Sequence, residues 1–537
     1  MRKLEYLIAF TIFTLVLVWQ LDALNITIME ARNFVTAREM TQEGNYLLPT
    51  LNGEYRLQKP PLPTWLTVAV GEIVGYKGIG WLRLPAVLIG LLGIFFTMKI
   101  FRRLSGEFSD EILTGVVLLS SFYFFLTSRS GMWDMFAQAF MLGAIYYYMR
   151  LFLESRNAMK LGLLFGMFAA ASFMSKGPVA LYGLFLPFII AFHWKFHRKI
   201  FYSKKHWLAL GSGLIIAALL SAIWPVYVYF SDAGQAALDT IAKESANWSS
   251  YNTRPFYYYW SFFTQSGIWT VVSFAALLAC IVDIKKVSEK TDLAFYFWWT
   301  IAVVVLLSII PEKKSRYLLP VLFPLAMLVS RVVQESELNR FKISLKISQI
   351  ITSVVVAGVG IVLLLNITPE LRPFRLKWLS GLILIATGIF SFFQVIRDNY
   401  KLSMYTLAGG MMVIILFHIK SIGGVMDSQV AVRSFSAFQT DEQLKELPLY
   451  SLVDPRPEIS WHLGRRAPVF PPTELPESAN QIGILSFEGI AECMNEPEWS
   501  KWHLISEECF DQNPVQSLKK PNIALRRYLA IIELKTE

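Results

Sequence analysis

Thirteen stretches of this chain are apolar for long enough to cross a lipid bilayer, and that repetition constrains the fold more than any motif does. They lie near residues 4–21, 80–101, 111–128, 131–152, 160–175, 177–193, 207–230, 256–282, 293–310, 317–334, 345–365, 378–396 and 402–420. A backbone in hydrocarbon has to satisfy its own hydrogen bonds, so runs of this length fold as helices. The chain reads as an all-α polytopic membrane protein, and 54% hydrophobic against 17% charged residues agrees with that. The net charge of +10 is modest over 537 residues. It fits lysine and arginine that set topology better than a nucleic-acid surface. The sequence has no Gly-rich nucleotide loop, zinc-finger spacing or HExxH helix.

Charge asymmetry orients the spans. The loop Lys195–His206 (KFHRKIFYSKKH) carries five Lys/Arg and no acid, and Arg2-Lys3 and Arg102-Arg103 are also basic. All three belong on the cytoplasmic side. They share a side only if the short apolar segment 62–76, which carries Glu72, does not cross and lies in the interface instead. No small-residue cleavage site follows Leu21, so 4–21 is a retained span. Residues 22–79 then form a long first outer loop and 231–255 a second, with short outer turns at 129–131, 175–178, 311–317 and 366–377. The transmembrane part is 1–420. Residues 421–537 are far less apolar and contain "LPLYSLVDP", "EISWHLGRRAPVF" and "QIGILSFEG", which predict short strands with intervening helix in a small outer α/β domain. Cys493 and Cys509 fall there, and spacing leaves open whether they pair.

Polar residues gather at the outer ends of spans: Glu30, Arg32, Lys59, Arg129, Asp134, Lys176, Lys313, Lys314, Arg316 and Tyr317. Each has a plain reading as well. Arg32 and Glu39 are two helical turns apart and fit the wet face of an interfacial helix. Lys176 closes an apolar run before Gly177-Pro178, where a lysine meets a helix C-terminus. Asp134 suits a helix N-terminus, and Tyr317 an interfacial belt. Lys59 differs because "QKPPLP" holds it on a stiff extended segment. Together they suit a ligand with an anionic head and a greasy tail, such as a lipid-linked phosphate. If Glu30 and Arg32 are to face one site, Glu30 has to lie at or before a helix start, because two residues in a helix point about 200° apart.

The order of several motifs resembles the membrane glycosyltransferases of the GT-C class. These are "EARNFVTAREM" (30–40), "GNYLLPTLNGEYRLQKPPLPTWL" (44–66), "RLPA" (83–86), "SRSGMWDM" (128–135), "MSKGPVAL" (174–181), "WPVY" (224–227), "RPFYYY" (254–259) and "KKSRYLLPVLFPLA" (313–326). More narrowly, the chain is similar to the aminoarabinose transferase and dolichyl-phosphate-mannose-protein mannosyltransferase-like family. The resemblance implies the GT-C fold, about thirteen spans, interfacial helices in the first outer loop and a periplasmic C-terminal domain. It implies a bacterial inner-membrane enzyme that moves a sugar from a polyprenyl (undecaprenyl) phosphate to a lipid A, glycan or protein acceptor. Arg32, Lys59 and Lys176 match the positions that hold the donor phosphate, and Tyr317 a tyrosine near it. Arg129, Lys314 and Arg254 are further substrate contacts. The family opens the first loop with two acids. Here the first is Met29, which leaves Glu30, alone or with Asp134, as the catalytic carboxylate. Gln58 replaces an acid found in some relatives, and all six histidines lie away from the first loop, so no metal site is expected.

The expected reaction is a single displacement with inversion at the anomeric carbon, with a carboxylate taking the acceptor's proton and the cations stabilising the departing phosphate. Loop 231–255 is expected to be a flexible gate. The competing class is a flippase or transporter of lipid-linked sugar, which would place its ionisable groups near the midplane.

Overall fold

The computed structural model describes residues 2–107, 109–154, 156–200, 202–336, 341–365, 376–426, 435–477, 479–511 and 523–535. The predicted turn 366–377 lies almost wholly outside the described residues. Two compact units emerge, and their boundary differs from a split at residue 420. The first holds Met1–Leu21, Leu57–Leu66 and Gly80–Ile419; the second holds Asp22–Arg56, Thr67–Ile79 and Lys420–Glu537. Most of the first outer loop thus belongs with the C-terminal domain.

The first unit is helical. α1 (Arg2–Val18) is followed, after the loop, by the short α4 (Ile79–Leu82), α5 (Leu84–Ser105), the pair α6 (Glu111–Leu119) and α7 (Phe122–Ser128), α8 (Trp133–Leu153) and α9 (Ala158–Lys176). A π-helical turn, Leu181–Phe185, leads into α10 (Leu186–Phe196), then α11 (Lys204–Phe230) and α12 (Gly234–Ser250). After two 3-10 turns come α13 (Thr270–Val282), α14 (Ile284–Glu289), α15 (Thr291–Ile309), α16 (Leu319–Ser336), α17 (Lys342–Leu365), α18 (Lys377–Ile396) and α19 (Tyr400–Met426). Each of the thirteen apolar runs carries a helix. Among the described residues nine helices are long and apolar enough to cross a membrane, and ten when α6 and α7, bent by 77°, form one broken span. The chain is a multi-pass membrane protein. The apolar segment 62–76 forms α3 (Leu62–Val74), whose 13 residues reach only about 20 Å, too short for a hydrocarbon core of about 30 Å.

Helix contacts are close where residues are small. α9 packs on α8 and on α11. A Cβ at Gly162 would lie 2.1 Å from the Ala209 carbonyl oxygen, and one at Gly166 would lie 2.2 Å from that of Gly213. Backbone therefore meets backbone over the first turns of both helices. Farther along them, toward the Lys176 end, the space between α9 and α11 is a cavity of about 490 Å³.

The second unit builds on α2 (Ile28–Glu43), the hairpin β1–β2 (Thr50–Leu51, Glu54–Tyr55) and a four-stranded sheet. Its strands are β3 (Leu449–Ser451), β4 (Gln481–Ser486), β5 (Trp502–Asp511) and β6 (Arg526–Leu534), in the order β3-β4-β6-β5. β3 and β4 are parallel and the other pairs antiparallel. Alternation along β4 sends Leu485 to a core with Phe438, Ile459 and Phe510, and Ile482 and Ile484 to a core with Trp499 and Trp502. The α/β reading of 421–537 is thus what the structure contains. Cys493 and Cys509 are free thiols.

Much of the charge in "EARNFVTAREM" serves this unit. Arg38 is 5% exposed and donates to the carbonyls of Ser460 (3.0 Å) and Trp461 (3.3 Å) on α22 (Pro457–Leu463), the helix after the short α20 (Ala437–Thr440) and α21 (Glu442–Glu446). That burial lowers the Arg38 pKa to about 10. Glu39 accepts from the Asn52 amide (2.7 Å), the Gly53 amide (3.1 Å), the Thr50 hydroxyl (2.7 Å) and Arg466 (2.9 Å). Glu39 is 1% exposed, so the wet-face reading of Arg32 and Glu39 fails: Glu39 organises the hairpin instead.

Candidate active site

The first unit gathers cations from three separate segments: Lys59, Lys176 and the turn that carries Lys314 and Arg316. α9 ends at Lys176 because Gly177 takes φ 69° and Pro178 cannot continue a helix. The buried Lys176 ammonium donates to Oδ1 of Asp134, in the first turn of α8, while Asp134 Oδ2 is buried without a hydrogen-bond partner. Lys176 also lies 5.4 Å from the centroid of the Tyr317 ring. Lys314 and Arg316 approach the same ring at 5.8 and 5.6 Å. A tyrosine face carries partial negative charge and gathers cations in this way. Arg316 keeps Nε buried with no hydrogen-bond partner. Lys59, on the non-helical stretch before α3 that its prolines predict, contributes with Arg316 to the positive field at Lys176.

Carboxylates accompany these cations. Glu312 accepts from Lys314 Nζ (2.5 Å) and from the Tyr317 hydroxyl (3.2 Å). Glu244 of α12 accepts from Lys59 Nζ (3.3 Å). Tyr259, almost fully buried, pins the backbone of Lys314, donating to its carbonyl (3.0 Å) and accepting from its amide (2.9 Å). The neighbouring Lys313 faces inward and donates to the carbonyls of Ile310 (2.6 Å) and Arg254 (3.1 Å). Burial lowers its pKa. Two adjacent lysines thus divide the work: Lys313 holds backbone and Lys314 faces the tyrosine.

The apolar cavity begins beside this charge. Gly177 and Pro178 line it directly after Lys176, with Phe165, Phe173 and Leu181 on one side and Leu214, Ser221 and Pro225 among the residues of α11.

Five expected residues, Lys59, Asp134, Lys176, Lys314 and Tyr317, stand in this cluster. Others stand elsewhere. Arg129 donates to the carbonyls of Val16 (3.1 Å), Leu17 (2.9 Å), Trp19 (2.6 Å) and Gln20 (2.8 Å), and Arg83 to that of Leu21 (2.5 Å). Both arginines clamp the C-terminal end of α1, so the Arg129 guanidinium is engaged by backbone carbonyls. Arg254 is exposed, and its backbone pairs with Pro311. Glu30 and Arg32 belong to the second unit. Glu30 is the third residue of α2 and closes a capping box: Oε2 accepts from the Thr27 amide and hydroxyl, both at 3.1 Å. Both residues are helical, so they point to different sides, and the shared face expected for them is not formed. Arg32 Nη1 lies 3.7 Å from Sδ of Met29, the position where the family carries its first acid. Loop 231–255 is no loose coil: residues 234–250 are the helix α12. Sequence reasoning grouped Arg316 with the outer cations without giving it a role, and left Glu312 and Glu244 out of the site. Proximity to Pro311 and Lys314 was a signal for Glu312; for Glu244, seventy residues away, there was none.

Comparison with known proteins matches this frame. The family model described as dolichyl-phosphate-mannose-protein mannosyltransferase matches residues 58–224. An uncharacterised protein of Aquifex aeolicus is 25% identical over 344 residues, 63% of this chain and 65% of its own length. An undecaprenyl phosphate-alpha-4-amino-4-deoxy-L-arabinose arabinosyl transferase of Pectobacterium atrosepticum is 24% identical over 313 residues, 56% of this chain and 54% of its own. The chain thus aligns with less than two thirds of either relative. ArnT from Cupriavidus metallidurans bound to undecaprenyl phosphate superposes with a TM-score of 0.73 at 17% identity, covering 98% of both chains. Its apo form gives 0.72 at 15%, covering 99% of this chain and 98% of that one. At such identities the likeness speaks to fold. Over its whole length the chain has the fold of these ArnT structures, and within it residues 58–224 are similar to the mannosyltransferase family.

Proposed function

We propose that this protein is an inverting glycosyltransferase that moves a sugar from a polyprenyl-phosphate donor to a lipid, glycan or protein acceptor at the periplasmic face of a bacterial inner membrane. One observation carries the reading: Lys176, Lys314 and Arg316 collect around Tyr317, with Lys59 adding to the positive field at Lys176, where a 490 Å³ apolar cavity starts at Gly177. An anionic head on the cations and an isoprenoid tail in the cavity satisfy both halves. The relatives' names support this donor class, since one is an arabinosyl transferase that uses undecaprenyl phosphate. A polyprenol-phosphate-mannose–protein mannosyltransferase of Corynebacterium glutamicum is 37% identical, although over only 92 residues, 17% of each chain.

The acceptor hydroxyl attacks the anomeric carbon, the bond from that carbon to the phosphate oxygen breaks, and polyprenyl phosphate departs. Lys59, Lys176 and Arg316 stabilise the charge it gathers. Of the two expected carboxylates, Asp134 is the one among these cations, with Oδ2 uncommitted. A phosphate that draws Lys176 to itself frees Asp134 to take the hydroxyl proton. A flippase is less well supported, because these ionisable groups sit at helix ends rather than within the spans.

The test is transfer of label from a panel of polyprenyl-phosphate sugars to membrane extracts by wild type and Lys59→Ala. Transfer by wild type that falls about 10²-fold in the variant supports the reading. Labelled lipid that changes leaflet in vesicles, with no donor consumed, overturns it.

A further inference from the structure

Each lysine of the cluster already holds a carboxylate: Lys176 holds Asp134, Lys314 holds Glu312 and Lys59 holds Glu244. With Arg316, and leaving aside Lys313, which is turned to backbone carbonyls, four cations stand with three anions and one net positive charge remains. A polyprenyl-phosphate sugar is a phosphodiester with one negative charge, so the donor matches that remainder. The product is a phosphomonoester, which carries about −1.5 to −2 at pH 7, and it exceeds what the paired site offers.

The three carboxylates are not equally able to yield. Asp134 is 4% exposed and Glu312 13%, each fixed on a spanning helix or tight turn, whereas Glu244 is 44% exposed. Glu244 rides on α12, whose apolar side chains Leu238 and Ile241 are 46% and 63% exposed. Near the far end of α12, the Tyr251 ring lies 4.8 Å from Lys314 Nζ.

We propose that Glu244 is a specificity residue: by competing for the Lys59 ammonium it weakens binding of the monoester product relative to the diester donor, and so favours product release. The proposal rests on the polyprenyl-phosphate reading above. An exposed ion pair contributes up to about 1 kcal/mol, which sets the effect at a few-fold.

The experiment measures binding of two probes, undecaprenyl phosphate and its methyl ester, to the full chain in detergent. Wild type, Glu244→Gln, Glu244→Lys and Lys59→Ala are compared at low and high salt. The expected result is a monoester affinity about two- to five-fold higher in E244Q, higher again in E244K, with the diester changed less. The preference should shrink as salt screens it, and K59A should remove it. Equal change for both probes, or none, overturns the role of Glu244. Failure of wild type to bind either probe overturns the polyprenyl-phosphate reading itself.

Discussion

Replacing Asp134 with asparagine and Lys176 with methionine, singly and together, tests whether the centre of the cluster is a coupled pair. The two side chains are 4% and 5% exposed, and removal of one partner from a buried pair costs about 3–5 kcal/mol. In D134N the lysine loses its counter-charge while it still faces Arg316 and Lys59, keeping a neutral amide oxygen and the Tyr317 ring, a cation–π contact worth about 0.5–2 kcal/mol. A net loss of about 2–4 kcal/mol follows. In K176M, Asp134 loses the partner of Oδ1 while Oδ2 has none, and the loss is similar. The double variant buries no charge, so its destabilisation falls short of the sum by about 2–3 kcal/mol. Unfolding of the full chain in detergent, followed by tryptophan fluorescence, measures this. Strict additivity would refute the coupling. Transfer assays on the same proteins separate fold from chemistry: the double variant regains stability yet stays at least about 10²-fold slower, having lost both the proposed base and a phosphate cation. A stable and fully active double variant would sink the site.

Glu30 and His462 give two sharper tests. Glutamine can replace glutamate in a capping box, so Glu30→Gln keeps stability and transfer within about tenfold of wild type, while Glu30→Ala loses about 1 kcal/mol; a collapse of activity in E30Q alone would make Glu30 the base. Burial lowers the His462 pKa from 6.5 to about 4, so the unfolded chain takes up the proton first. Stability is then full above pH 6.5 and falls by up to about 3 kcal/mol as the pH drops toward 4. A pH-jump unfolding series with His462→Gln should flatten that slope, and an unchanged slope would place the acid sensitivity elsewhere.

The spans were legible because their signal is local: apolar length marks a helix. Segment 62–76 was assigned by parity, and its 13-residue helix is too short to cross. Lys59 and Lys176 were legible because proline and glycine beside them dictate how the chain presents each one. Arg129 is ambiguous in the sequence, because an arginine at a span end looks the same whether it meets a ligand or four carbonyls of α1. Glu30 is ambiguous for a related reason. Its partner, Thr27, stands three residues earlier, and a carboxylate at that spacing is as much a cap as a catalyst. The partnership of Glu39 with Arg466 spans 427 residues and leaves no mark in either segment.

The glycines of α9 and α11 bear on a dimension that charge does not govern. With Gly162 and Gly166 seated on the carbonyls of Ala209 and Gly213, the two helices act like the jaws of a clothes-peg, pressed together at one end and holding an opening at the other. The bore of that opening is fixed at its closed end, remote from Lys176 and from every reacting atom. A single methyl group added to either glycine is a shim: it pushes the jaws apart at the spring and re-gauges the slot for chains of a different thickness, leaving the anion seat unaltered.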